Sequence, residues 1–372
     1  MSERALARID LGAVEHNCAH LRSQLAGGAE LCAVVKADGY GHGAAGCARA
    51  AIAAGAGCLA VATAAEAAAL RAETPDARLL TMGALTPQEV DVALGAGSEV
   101  AVWRAGFLRL VADRARALGR PARVHVKHDS GMGRLGTPDP AEVMALCRAG
   151  ADLPELELAA VWTHFATADE PESRFFDEQL ERFTELAGAV RAEHPDVRAH
   201  AANSAALYRD PRSHFDMARC GIAVYGMDPF GESPDQRGLE PALSLQTYVA
   251  DVKRFAAGAS AGYGQTWRAP EETWVGVLPI GYGDGVRRGL SNNAEVLVGG
   301  SRRPLVGTVS MDNVTIDLGP STDVEPGAEA LLIGSQGGER ILAEELARRL
   351  GTINYEITCG ISSRVPRLHQ MR

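Results

Sequence analysis

Short apolar runs alternate with longer Ala-, Leu-, Glu- and Arg-rich stretches over residues 31–225, and this alternation predicts the architecture of the larger part of the chain. Runs of strand length read as Leu31–Val35, Cys58–Thr63, Leu79–Met82, Val100–Trp103, Arg123–Lys127, Leu158–Thr163, Arg198–Ala202 and Met217–Val224. Between them, segments such as Ala44–Ala54, Ala64–Arg71 and Ser173–Ala192 have the composition and length of helices. Strand–helix alternation implies a parallel sheet. Eight such units in about 200 residues is the pattern of a closed (β/α)8 barrel of the TIM type. An open doubly wound sheet also accommodates it.

The texture changes after Gly226. Residues 227–242 are rich in Pro, Gly and charge and read as a linker. Beyond them come closely spaced β-type segments: Leu243–Val252, Trp274–Leu278, Glu295–Val298, Leu305–Val309, Val314–Asp317 and Ala330–Ile333. Only Ala343–Leu350 reads clearly as a helix. The expected division is a barrel over residues 1–235 and a mainly β domain over 236–372, with the placement of the extreme N-terminal strand open between the two.

The length of 372 residues accommodates this division, and 46% hydrophobic with 23% charged residues is ordinary for a soluble globular protein. A net charge of -10 argues against nucleic acid or an anionic membrane as the main partner. No apolar run approaches a membrane span, and the charged opening segment through Asp10 lacks the core of a signal peptide. The seven cysteines are scattered without paired spacing, which suits buried thiols in a reducing cytoplasm and neither a disulfide framework nor a zinc site. No metal site is expected.

The chemistry concentrates where barrel strands end. The first apolar run delivers Lys36 into Ala37-Asp38-Gly39-Tyr40-Gly41-His42-Gly43. A lone ammonium is costly to bury, so a lysine here needs a counter-charge or a purpose such as a Schiff base with an aldehyde; an exposed strand-end lysine is the plain alternative. Functional residues of a barrel lie at the carboxyl ends of its strands. Arg134 follows the fifth run, His164 the sixth, and Asn203-Ser204 the seventh, while Arg219-Cys220-Gly221-Ile222 surround the eighth. Ser204, Gly221 and Ile222 would make a phosphate cradle in the loops where barrels often hold one. A lysine, an arginine, a histidine and such a cradle on one rim fit pyridoxal phosphate. Gly131-Met132-Gly133-Arg134-Leu135-Gly136 matches a dinucleotide fingerprint by spacing, but Pro138 and Pro140 interrupt the helix that motif must open.

These segments resemble the bacterial alanine racemase family from Ile9-Asp10-Leu11 to Tyr355. The carriers are Val35 to Gly43, Asp129-Ser130-Gly131-Met132-Gly133-Arg134, His164-Phe165-Ala166-Thr167-Ala168-Asp169 and Arg219-Cys220-Gly221-Ile222, followed by Gly262-Tyr263-Gly264, Gly281-Tyr282-Gly283-Asp284-Gly285 and Ser310-Met311-Asp312. The resemblance implies pyridoxal phosphate held on Lys36, interconversion of L- and D-alanine for peptidoglycan synthesis, and a cytoplasmic homodimer with shared sites. It implies Lys36 and the partner subunit's Tyr263 as opposed bases, with a chain from Tyr263 to His164 to Arg219 supporting the phenol. Arg219 would meet the pyridine nitrogen. Arg134 would fork onto the substrate carboxylate or the cofactor's phenolic oxygen. Lys127 is similar to a lysine that many members carry as a carbamate. Tyr40, Ser204, Gly221, Ile222 and Tyr355 resemble phosphate ligands, with Asn203 among the cofactor-binding residues. Tyr282, Met311 and Asp312 resemble residues lent across the dimer to the substrate pocket and its entrance. His16, His20, His194 and His214 read as surface or packing residues. Three alternatives stay open: a serine or broad-specificity racemase, a decarboxylase on this architecture, and a non-catalytic cofactor-binding barrel protein. The decarboxylases lend a cysteine loop and the binding proteins lack the β domain; here Cys359 is the one cysteine beyond residue 236.

Overall fold

The computed structural model describes residues 3–371; Met1, Ser2 and Arg372, at the ends of the two expected domains, lie outside the described residues. The chain forms two compact units. One comprises Val14–Tyr40 and Ala44–Val224; the other takes the N-terminal segment to Ala13, Gly41–Gly43 and everything from Tyr225 on.

The strands in chain order begin with β1 (Leu6–Asp10), which belongs to the second unit's sheet, and continue with β2 (Glu30–Val34), β3 (Cys58–Val61), β4 (Leu79–Thr81), β5 (Ser98–Val102), β6 (Ala122–Lys127), β7 (Leu156–Trp162), β8 (Arg198–His200) and β9 (Met217–Cys220). β2 to β9 form an eight-stranded, all-parallel sheet in the order β8-β7-β6-β5-β4-β3-β2-β9. Its ends are joined by backbone bonds from Asp216 N to Ala199 O (3.0 Å) and Arg219 N to Ala202 O (2.9 Å), which closes the barrel. Strands covered on both faces read as continuous apolar runs, and β3 is buried at every position. The helices outside are stopped and started by local chemistry. Thr63 with Glu66, and Thr86 with Glu89, form reciprocal capping boxes. Helix Ala105–Leu118 turns Phe107, Leu108, Val111, Ala112 and Ala115 inward at helical spacing and ends on Gly119 in the left-handed region. Six cysteines are buried and none of the seven is in a disulfide; burial pushes the thiols of Cys18, Cys47, Cys147 and Cys220 up to about 12, which makes them inert.

The second unit adds β10 (Leu243–Tyr248), β11 (Asp251–Phe255), β12 (Ser260–Ala261), β13 (Trp267–Arg268), β14 (Thr273–Leu278), β15 (Glu295–Val298), β16 (Ser301–Val306), β17 (Val314–Gly319), β18 (Glu329–Gln336), β19 (Glu339–Ile341) and β20 (Arg367–Gln370). The main sheet runs β11-β14-β17-β16-β15-β18-β10-β1-β20, so the N-terminal strand pairs with β10 and β20.

Several boundaries differ from the sequence reading for identifiable reasons. The expected strand Leu243–Val252 breaks in two because Val249 N turns to Ala328 O (2.8 Å) while Ala250 N turns to Val277 O (2.7 Å), sending the halves to different neighbours. The expected strand Met217–Val224 stops at Cys220, where Gly221 N leaves the ladder for Ser204 Oγ (3.0 Å) and Ile222–Tyr225 coils into a 3-10 turn. The expected linker over 227–242 is built in: Asp228 is fully buried, paired with Arg237 at 2.8 Å. A second short helix, Asn354–Cys359, follows Ala343–Leu350; its Ile357 and Thr358 carry no helical signal. Among the described residues no helix is long and apolar enough to cross a membrane, and no group of three or more His, Cys, Asp or Glu could hold a metal ion.

Candidate active site

β2 ends at Val34, and two residues later Lys36 stands half-buried at the carboxyl end of the barrel. The turn it opens is left-handed: Ala37, Asp38 and Tyr40 have φ of 53°, 52° and 53°, with Gly39 at 63° between them. Each non-glycine residue there costs about 1–2 kcal/mol. Specific bonds offset it. Ala37 N donates to Glu66 Oε1 (2.6 Å), Gly39 N to Val35 O (2.9 Å), and Asp38 Oδ1 accepts from Ala44 N (2.8 Å). The strain holds Tyr40, whose ring centroid lies 5.9 Å from Lys36 Nζ.

Cations gather around the same rim. Arg219, on β9, is buried and held by acceptors alone: His200 Nδ1 (2.7 Å), Thr163 O and Ala201 O (2.9 Å each) and His164 Nδ1 (3.3 Å). Burial lowers its pKa to about 10, which leaves it charged at neutral pH. Lys127, the last residue of β6, is also buried, with Nζ 4.2 Å over the Trp162 ring. Burial, then the charges of Arg219 and Arg134, bring its pKa down to about 7. His164 is held well below the usual imidazole range by burial and by Arg219, Lys127, Arg134 and Lys36 in turn. A neutral His164 that accepts at Nδ1 carries its proton on Nε2.

Arg134 reaches the rim on a loop organised by one carboxylate. Asp129 accepts from Gly131 N (3.0 Å), Gly133 N (3.0 Å) and Arg134 N (3.2 Å). Burial alone would raise its pKa, but these donors hold it below the ordinary value. The glycines of the false dinucleotide motif thus wrap an internal anion.

The residues expected as a phosphate cradle come together in the loops after β8 and β9. Asn203 caps helix Ser204–Arg209 through Ala206 N (2.9 Å), and Ser204 Oγ receives Gly221 N (3.0 Å) and Ala223 N (3.4 Å). A Cβ on Gly221 would stand 2.3 Å from Tyr40 Oη, so only glycine admits the Tyr40 hydroxyl here. Ile222 is fully buried behind it. Lys36, Arg134 and Arg219 against Asp129, together with the buried, unpartnered Trp162 Nε1, leave an excess of positive charge and donors. That donor set, with a lysine amine for an aldehyde, fits pyridoxal phosphate.

The remaining expected residues lie in the second unit. Tyr263, Tyr282 and Met311 occupy three loops tied to one another: Thr308 Oγ1 donates to Tyr263 O (2.8 Å), Tyr282 N to Ser310 O (2.9 Å) and Gly283 N to Met311 O (2.9 Å). Their side chains are 74%, 44% and 52% exposed. Asp312 pairs with Arg364 at 2.8 Å, and half-buried Tyr355 sits in helix Asn354–Cys359. Asp284, fully buried, pairs with Arg4 and binds Gly281 N at 2.9 Å, holding the Tyr282 turn. The sequence reading quoted Asp284 without a role and passed over His200; a charged residue inside a Gly-rich turn and a histidine closing a strand run were the available signals.

Two family models match this chain, described as the alanine racemase N-terminal domain over residues 9–229 and the alanine racemase C-terminal domain over residues 242–369. An alanine racemase of Symbiobacterium thermophilum is 45% identical over 368 residues, covering 98% of this chain and 96% of the relative. The crystal structure of alanine racemase from the D-cycloserine producer Streptomyces lavendulae superposes with a TM-score of 0.94 at 39% identity, covering 100% of this chain and 98% of that one. The enzyme of Streptomyces coelicolor A3(2) gives 0.92 at 41% identity over 98% of each chain. Matched over both units by both models and by full-length relatives, the chain belongs to the alanine racemase family.

Proposed function

We propose that this protein interconverts L- and D-alanine, with pyridoxal phosphate bound at the barrel mouth, in a cytoplasmic homodimer that serves peptidoglycan synthesis. The observation that carries the reading is the rim itself: Lys36 at the end of β2 beside buried Arg219 and the Ser204–Gly221–Tyr40 cradle. Pyridoxal phosphate supplies an electron sink that acidifies the α-hydrogen of an amino acid. The chain supplies the rest. Tyr40, Ser204, Gly221 and Ile222, with the Asn203 loop, would hold the phosphate, and Lys36 would hold the aldehyde carbon. Arg219 would donate to the pyridine nitrogen; because arginine is a donor only, it would leave that nitrogen unprotonated.

Inversion needs a proton removed on one face of Cα and returned on the other. Lys36 serves one face and Tyr263 of the partner subunit the other. A phenol with a pKa of about 10 is a poor base at neutral pH. His164 helps: with Nδ1 taken by Arg219, its Nε2–H is the free donor and stabilises the phenolate oxygen. Arg134 would hold the substrate carboxylate, and the partner subunit's Tyr282, the partner's Met311 and the partner's Asp312 would close the pocket around a side chain no larger than methyl.

Lys127 enters this account as a carbamate. A lysine with a pKa near 7 is about half neutral at physiological pH, and the neutral amine adds CO2, forming an N–C bond and releasing one proton. The resulting anion would lie beside Arg134 and orient it. Protein equilibrated with 13C-bicarbonate at neutral pH should show one carbamate carbonyl signal, absent in Lys127→Ala. It should fade as pH falls well below 7 and the amine protonates.

The cradle gives a second expectation. Gly221→Ala places a methyl against Tyr40 Oη and should weaken pyridoxal phosphate binding at least about tenfold, about 1.4 kcal/mol, in a spectrophotometric titration. The reading as a whole is tested by incubating the loaded protein with L-alanine or L-serine and following the products by chiral chromatography. Alanine should run to equal L and D, faster than serine. A faster serine reaction would make this a serine or broad-specificity racemase, and no inversion of either would remove the assignment.

A further inference from the structure

A line of buried polar side chains runs from Arg219 down the barrel axis, away from the rim. Arg219 Nη1 bonds His200 Nδ1 at 2.7 Å; His200 Nε2 bonds His125 Nδ1 at 2.9 Å; His125 Nε2 bonds Glu99 Oε2 at 2.6 Å. Arg219, His200, His125 and Glu99 are each no more than 3% exposed. His200 closes β8 and Glu99 is the second residue of β5, so the line passes from the carboxyl to the amino end of the strands. At its foot Glu99 Oε1 pairs with Arg123 (2.9 Å) and Arg78 (3.2 Å), and Arg78 and Arg198 share Glu30 at 2.9 and 2.6 Å.

Elementary valence fixes the protons along this line. Arginine only donates, so His200 Nδ1 accepts. Burial and the neighbouring cations, Arg219 first, keep His200 neutral, so its one proton is on Nε2 and points at His125. His125, lowered by burial against the pull of Glu99, must accept at Nδ1 and donate from Nε2. Glu99 receives that proton's hydrogen bond as a carboxylate: burial would raise its pKa, but His125, Arg78 and Arg123 hold it down. Each link has one allowed direction. A second proton on either ring would set donor against donor.

We propose that Glu99, His125 and His200 are positioning residues for racemisation: a proton-ordered line that keeps His200 an acceptor toward Arg219, and so fixes the direction and charge of the guanidinium at the rim. This rests on the assignment of Arg219 to the cofactor ring made above. The line brings a compensating carboxylate to Arg219 through two imidazoles without placing one beside it. A carboxylate in contact would blunt the positive charge Arg219 presents; a bare guanidinium in the core would be uncompensated.

The test uses 15N-histidine-labelled, cofactor-loaded protein. Long-range 1H–15N spectra should show His125 and His200 as Nε2–H tautomers that do not titrate between about pH 6 and 9. Glu99→Gln should lower kcat about tenfold, with KM for alanine changed less than about twofold. A proton on Nδ1 of His200, an imidazolium in that range, or wild-type kcat in Glu99→Gln would each overturn the proposal. If Glu99→Gln does not fold, the unmodified protein's spectra still decide the proton order. Because NMR reads that order whether or not alanine is inverted, failure of the line and failure of the functional reading are told apart.

Discussion

Lys36→Ala removes racemisation: kcat should fall by at least about 10⁴-fold, with the fold intact and the cofactor still bound noncovalently. On the proposed reading Lys36 carries two tasks, the covalent hold on the aldehyde and the base on one face of Cα. Base catalysis alone contributes about 10²–10⁴-fold, so losing both exceeds that range. Little stability is at stake. The side chain is half-buried at a strand end, and the left-handed turn is held by bonds of Ala37, Asp38 and Gly39 that the substitution does not touch. The residues proposed to hold the phosphate are also untouched, so pyridoxal phosphate should remain bound with the spectrum of a free aldehyde. Borohydride reduction followed by mass spectrometry should add cofactor mass at Lys36 in the parent protein and none in the variant. Near-wild-type turnover in Lys36→Ala would contradict the account.

Tyr263→Phe tests the opposite face. With the ring 74% exposed in the chain, loss of one hydroxyl should leave stability within about 0.5 kcal/mol. Inversion should fall by about 10²–10⁴-fold. One enantiomer of alanine should still exchange its α-hydrogen with D2O, because Lys36 still works on its own face. Mixing the two inactive variants supplies a separate check on shared sites. If Lys36 and Tyr263 of one site come from different chains, a mixed dimer contains one intact site and one doubly defective site. Statistical exchange then returns about a quarter of wild-type activity. Sites built within a single chain would return none.

The barrel was legible because its strands are largely buried and carry mostly apolar residues, β3 at every position. The rim was legible because barrel chemistry sits at strand ends, which singled out Lys36, Arg134, His164, Ser204 and Arg219 before any coordinates. The left-handed conformation was not: Gly39, Gly41 and Gly43 announce a turn, but Ala37, Asp38 and Tyr40 share the positive φ through bonds to Glu66 and Ala44 that lie outside the motif. As a connected line, Glu99, His125 and His200 were illegible for another reason. Each lies in a different strand, and only barrel closure aligns them. The break at Val249–Ala250 likewise depends on which neighbours the two halves find, which local pattern does not encode. Tyr263 is the extreme case. Its spacing along the chain says nothing of Lys36, and its assignment came from family resemblance.

The central claim is two-base inversion at alanine Cα, and the most direct measurement is 1H NMR of the loaded protein with L-alanine in D2O, with chiral analysis of the product. The account predicts loss of the α-proton signal together with D-alanine carrying deuterium at Cα, rising to equal L and D. Exchange of the α-proton with the product remaining L would contradict it, since Lys36 would then act with no base opposite.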